Sequence, residues 1–250
     1  MIRLVRAEFT KLATTRLIYG LGATMAAFAV LTVVANTLDR QGAPPLSAYS
    51  LPMLVAGPVT LLSGAALLLG ILGMTGEFRH QTVTQTFLVT PDRGRVVAAK
   101  LVAYPLAGIA LTLVTLAITA AVATGWLAAK GITPSLPESV AYALGHVLLG
   151  AVLAAGLCGL VGVGLAALVR NQVAALVGVA VWVLVVEGLL MSLLQAPSSL
   201  AKWLPSAATA ALTNPGGGQL SRLAGTLLLT AYALALAVAG TRLVVRRDIT

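Results

Sequence analysis

The sequence predicts an all-α integral membrane protein, with six transmembrane helices in a single domain over residues 1–250. Three observations carry this reading. Hydrophobic residues fill 59% of the 250 positions and charged residues only 9%, against roughly 45–50% and 25% in an average soluble domain. Charge-free windows long enough to cross a hydrocarbon core of about 30 Å, which takes roughly 20 helical residues, recur along the whole chain. Lipid offers the backbone no hydrogen-bond partner, so those windows have to be helices.

Charge-free length and punctuation place the spans at about 17–38, 51–75, 101–128, 139–169, 173–194 and 223–244. The first exceeds the roughly 7–15 apolar residues of a secretory signal and reads as a retained anchor. An even number of spans puts both ends of the chain on one side. Twelve of the sixteen Lys and Arg lie on that side: before the first span, in the insert between the second and third, at Arg170, and at Arg242, Arg246 and Arg247. Only Arg40, Lys130, Lys202 and Arg222 lie on the other. The positive-inside rule therefore makes both termini and the insert cytoplasmic. Cations gathered at span ends also account for the net charge of +9, so no nucleic acid is expected as a partner.

The segments outside the spans have patterns of their own. In residues 1–16, Ile2, Val5, Phe9 and Leu12 fall at helical spacing with Arg3, Arg6, Thr10 and Lys11 around the other side. This predicts an amphipathic helix lying on the inner leaflet. The insert, 76–100, reads as a short helix from Glu77, a break at Pro91-Asp92, and a second, basic helical entry through Arg93, Arg95 and Lys100, since proline biases the residue before it away from helix. Phe78, Phe87 and Leu88 are its apolar residues. In the fourth span Gly150, Ala154, Cys158, Gly162 and Ala166 recur every four residues and line one helix face. Small residues let a neighbouring helix approach closely in lipid; the pattern leaves open whether that neighbour belongs to the same chain or a second copy. Cys158 is the single cysteine and reads as a packing residue. The outer loop, 195–222, is rich in Pro, Ser and Gly. Its apolar piece at 204–212, beside the interfacial Trp203, is too short to span and predicts a re-entrant or interfacial helix.

Chemistry is sparse. There is no Gly-x-x-x-x-Gly-Lys-Ser/Thr phosphate loop, the two histidines, His80 and His146, have no metal-ligand spacing, and no nucleophile elbow occurs. No catalytic residue, metal site or cofactor is expected on this chain. Glu187 is the acidic residue well inside a span, where a carboxylate raises a functional question; it reads either as lining a substrate path or as a hydrogen-bonded structural group. A stand-alone secondary transporter or channel would place several polar groups or broken helices near the midplane, and the sequence offers little beyond Glu187, Pro52 and Pro58. An intramembrane enzyme would have to be assembled from Ser63, His146 and Glu187 without motif support.

Glu77-Phe78-Arg79, Thr82-Val83, Thr86-Phe87-Leu88-Val89-Thr90-Pro91, and then Arg93, Arg95 and Lys100 resemble the cytoplasmic segment between the second and third spans of ABC-2 type permeases, the membrane subunits of bacterial ABC exporters. The opening from Ile2 to Arg16 resembles their N-terminal elbow, and Trp203-Leu204-Pro205 before the last span fits as well, so the likeness covers essentially the whole chain. One position departs: Gln81 stands where such permeases often have glycine.

The resemblance implies an elbow helix over 1–16 and a coupling helix whose Glu77, Phe78, Arg79, Thr82, Thr86, Phe87, Leu88, Pro91 and Arg93 lodge in a groove of a separate ATPase subunit. It further implies two permease copies, identical or related, in the inner membrane of a bacterium, with ATP and magnesium bound by the partner ATPase. The cargo class it implies is hydrophobic or amphipathic: a drug, a peptide or a lipid.

Overall fold

The computed structural model describes residues 1–38, 46–47, 50–79, 92–133, 137–193, 201–213 and 220–246, and among them there is no strand. Among the described residues six helices are long and apolar enough to cross a membrane, the number the charge-free windows predict.

The chain opens with α1 (Ile2–Thr14), which ends where Thr15 turns extended, at φ −90° and ψ 129°. The first span, α2 (Arg16–Leu38), follows at once. The second span is stepped: α3 (Leu51–Ala56) and α4 (Val59–Arg79) meet at Gly57-Pro58, where proline brings no N–H to the helix ladder. The third, α5 (Arg93–Ala129), starts under an Asp92 cap whose carboxylate accepts the Arg95 N–H at 3.2 Å. The basic helical entry through Arg93, Arg95 and Lys100 runs without interruption into the span at 101–128, as one helix of 37 residues with Pro105 inside it. Neighbouring helices make a proline tolerable within a membrane bundle.

The fourth span is α6 (Glu138–Val169), closed by Arg170 in the left-handed region at φ 55°. The fifth comprises α7 (Gln172–Val181), a widened π turn (Trp182–Val186) and α8 (Glu187–Leu193). After a short 3-10 turn (Ala201–Trp203), α9 (Pro205–Thr213) stands where the apolar piece of the outer loop predicts a short helix. The last span is α10 (Arg222–Arg246).

The second and fourth spans form the centre of the bundle, with 61% and 50% of their apolar windows buried, against 11% for the fifth, which lies at the edge. Glycine decides this arrangement. A Cβ on Gly162 would strike the Leu67 carbonyl of α4, one on Gly70 would strike the Gly159 carbonyl of α6, and one on Gly164 would come within 2.7 Å of the Leu236 backbone in α10. The small-residue face of α6 is thus occupied within the chain. Gly150 abuts the Leu212 carbonyl of α9, Ala154 and Cys158 pack with Ala208, Leu212 and Leu229, and Gly162 meets α4; Ala166 is fully covered.

Thr82, Thr86, Phe87, Leu88 and Pro91, which the resemblance assigns to coupling, lie outside the described residues, as do His80 and Arg40.

Gly162→Ala should lower the thermal midpoint of the detergent-solubilised protein by the equivalent of about 1–3 kcal/mol, the usual cost of overpacking. Gly178→Ala, in the same bundle but with open space around the added methyl, should hold or raise it, because alanine is the better helix former by roughly 0.8–1 kcal/mol.

Candidate functional site

Four charged side chains from three helices meet at the end of the bundle where α1, the end of α4 and the start of α5 converge. Lys100 enters from α5 and is 1% exposed. Its ammonium donates to Glu8 Oε2 at 2.8 Å, to Glu77 Oε1 at 2.9 Å and to the Gly73 carbonyl at 3.2 Å. That uses all three donors a lysine has. Lys11 closes the ring from the exposed side, reaching Glu8 Oε1 at 2.9 Å and Glu77 Oε1 at 2.7 Å. Tyr104, one turn beyond Lys100, donates its hydroxyl to Glu8 Oε2 at 3.4 Å and sets its ring 5.5 Å beneath the ammonium. Two carboxylates and two ammoniums balance, so the cluster is neutral.

Local sequence explains how each side chain arrives. Val5, Glu8 and Leu12 share the inward face of α1, with Glu8 and Leu12 buried, while Ile2 and Phe9, from the predicted apolar face, remain exposed. Lys100 and Tyr104 are one helical turn apart and so point the same way. Gly73 is indispensable there, because a Cβ would fall on the Tyr104 ring. Partial burial pulls the Lys11 ammonium down, but hydrogen bonds to Glu77 and Glu8 and their charges outweigh it and leave its pKa above the ordinary lysine value.

The other residues singled out from sequence distribute around this cluster. Glu77 is turned into the bundle, with its carboxylate on Lys11 and Lys100. Arg79 is exposed and donates to Gln172 Oε1 at 3.3 Å, touching the start of the fifth span. Phe78 is half-buried, with the Arg170 guanidinium 5.9 Å from its ring centre, and Arg170 in turn donates to the Leu243 carbonyl at 2.6 Å. Arg93 is half-buried at the first turn of α5.

Glu187 sits apart, 4% exposed, just after the π turn. It accepts the Trp182 indole N–H at 2.7 Å, and its second oxygen has no hydrogen-bond partner. A π turn inside an α-helix is often found at functional positions. Sequence reasoning missed Glu8, Lys11 and Tyr104 as a site; the available signal was an acid between Val5 and Leu12 on an otherwise apolar helix face. Among the described residues, no three His, Cys, Asp or Glu come together as metal ligands.

The arrangement holds no nucleophile poised over a pocket. What it can do is mechanical: it fastens a terminal helix and two spans to one another through a saturated set of ionic hydrogen bonds. The family model described as ABC-2 family transporter protein matches residues 4–197, which takes in most of α1, the helices α2 to α8 and every residue of the cluster. No curated protein matches the chain.

Lys100→Met, which leaves two buried carboxylates facing Lys11 alone, should destabilise the solubilised protein by about 3–5 kcal/mol, the range for breaking a buried ion pair; Lys11→Met, at the exposed rim, should cost less. The same cluster gives an alkaline limit. A lysine whose folded pKa is raised contributes its stabilisation fully below the ordinary value of 10.5 and loses it as pH climbs through the raised value. Thermal midpoints should therefore fall above about pH 10.5 in the wild type, and less steeply in Lys11→Met.

Proposed function

We propose, since this chain belongs to the ABC-2 family of transporter proteins, that it is the permease half of an ATP-driven exporter. The coarse part follows from the family and the six apolar helices: this is a multi-pass membrane component of a transporter, not itself a catalyst. The finer reading adds a separate ATPase subunit that binds ATP and magnesium, a second permease copy, and an outward path for a hydrophobic or amphipathic cargo. Both termini and the 76–100 segment face the cytoplasm of a bacterial cell in this reading, α1 is the interfacial elbow, and α9 enters the outer leaflet without crossing.

The observation that carries the coupling reading is the ionic cluster. It locks the end of α4 to the start of α5 and both to α1. The segment joining α4 and α5 therefore hangs from two helices that cannot separate without leaving charges unpaired. A partner that moves that segment moves both spans together. Glu77 and Lys100 serve this function from inside, while Arg79, Arg93 and the predicted Thr82, Thr86, Phe87, Leu88 and Pro91 face the ATPase. The half-buried Phe78 props Arg170 against the same end of the bundle. The exposed apolar wall of the fifth span, from Val173 to Leu189, supports pairing with a second copy, and Glu187 behind that wall supports a place on the cargo path.

Two experiments test the parts separately. A Phe87→Ala, Leu88→Ala double variant, which leaves the ionic cluster whole, should keep its melting temperature but lose co-purification with the ATPase and cargo-stimulated ATP hydrolysis by about tenfold, as expected for apolar anchors at an interface. Intact assembly and intact stimulation would sink the coupling assignment. Glu187→Gln should lower transport by proteoliposomes without lowering the thermal midpoint; full transport at unchanged stability would remove Glu187 from the path.

A further inference from the structure

At the opposite end of the bundle from the ionic cluster lies a half-buried polar pair that the transport reading does not use. Arg222, the first residue of α10, places Nη1 2.6 Å from His146 Nδ1 on α6. A guanidinium can only donate, so the imidazole accepts through Nδ1 and carries its proton on Nε2. The remaining edge of the guanidinium, Nε and Nη2, is buried with no hydrogen-bond partner. These two N–H groups form the side-on fork that matches two oxygens of a carboxylate or phosphate. Leaving such a fork unpaired is costly. Among the described residues, no carboxylate forms an ion pair with Arg222.

His146 also lines an apolar groove of about 420 Å³, with Pro52, Met53, Ala56, Tyr142 and Val147. Tyr142 is 70% exposed and meets the imidazole edge-on, with ring centres 4.2 Å apart. Depth along the bundle can be read from α6: His146 stands 24 residues from Arg170, or about 36 Å at 1.5 Å per residue. That exceeds the roughly 30 Å of a hydrocarbon core, which sets the pair at head-group level with the groove reaching toward the acyl chains. Tyrosine is at home at this level.

We propose that Arg222, His146 and this groove bind one anionic phospholipid. Its phosphodiester takes the Nε/Nη2 fork of Arg222, and an acyl chain lies along Met53 and Val147. Charge complementarity selects the anion, and the apolar lining selects the chain-bearing form over a free ion. Arg222 reaches this groove through its bond to His146, and lipid binding requires the half-buried guanidinium to turn its fork outward from beside Gly150. The site is independent of the ATPase assignment and stands whether or not that assignment fails.

The test is native mass spectrometry of the full-length chain released from mixed micelles holding phosphatidylglycerol and phosphatidylcholine with identical acyl chains. The wild type should retain phosphatidylglycerol with a preference of roughly tenfold, or about 1.4 kcal/mol. Arg222→Gln should abolish that preference. Met53→Trp, which fills the groove without touching the cation, should abolish it as well, and it keeps the test open if Arg222→Gln does not fold. Lys202→Gln, an exposed cation outside the site, should leave it unchanged. A wild type without preference, a preference that survives Met53→Trp, equal loss in Lys202→Gln, or displacement of the lipid by millimolar inorganic phosphate would each overturn the proposal.

Discussion

An ammonium inside an apolar bundle has to bring its own counter-charge, and the geometry of one whole end of this protein follows from that requirement at Lys100. Taking an ion out of water costs several kcal/mol even after relaxation. The cost is offset here because Lys100 has a carboxylate from α1, a carboxylate from α4 and a main-chain carbonyl within reach at once. Each partner lies on a different turn or a different helix, so the chain satisfies the ammonium only when α1, α4 and α5 are in register. The terminal helix owes its place to this ring of charges as much as to Leu12, since two of its apolar residues, Ile2 and Phe9, are left facing outward.

Elsewhere the bundle is organised by shape. Between two helices in lipid there is no hydrophobic gain to be had from contact, so close approach and van der Waals area decide the packing. The facing glycines Gly70 and Gly162 let α4 and α6 approach until backbone meets backbone, while Gly159 makes room for Pro105 of α5. The other helices settle around that pair: α5 through Gly108 against Ala66, α10 through Gly164 and Gly240, and α9 through Gly150 and Gly225. Charge fixes one end and small residues fix the length.

The spans were legible in the sequence because crossing lipid demands uninterrupted apolar length, and composition records length directly. The small-residue face of α6 was legible for the same kind of reason, as a period of four. Three features were not. The burial of Lys100 was hidden behind its place in a basic entry with Arg93 and Arg95, since nothing local announces that it is neutralised by Glu8, 92 positions earlier. The π turn before Glu187 leaves no compositional trace, because one extra residue in a turn of Val and Leu looks like its neighbours. Glu77 was legible as important through its resemblance to a coupling segment, but the direction its carboxylate faces depends on two lysines, one of them on a helix 66 positions away in the chain. Pairings across such distances belong to tertiary structure, and a single sequence does not display them.

The continuity of α5 has a consequence of scale. From Lys100 to Ala129 the helix advances about 43 Å, so a tilt of about 5° about the ionic cluster displaces the far end by about 4 Å. Its one proline, Pro105, lies five residues beyond the cluster, and most of the rod beyond it is free of helix-breaking residues. Motion imposed at the charged end would thus be magnified along the rod without needing any large rearrangement where it began. A displacement the width of a methylene chain at one end is the arithmetic result of a pivot placed at the other.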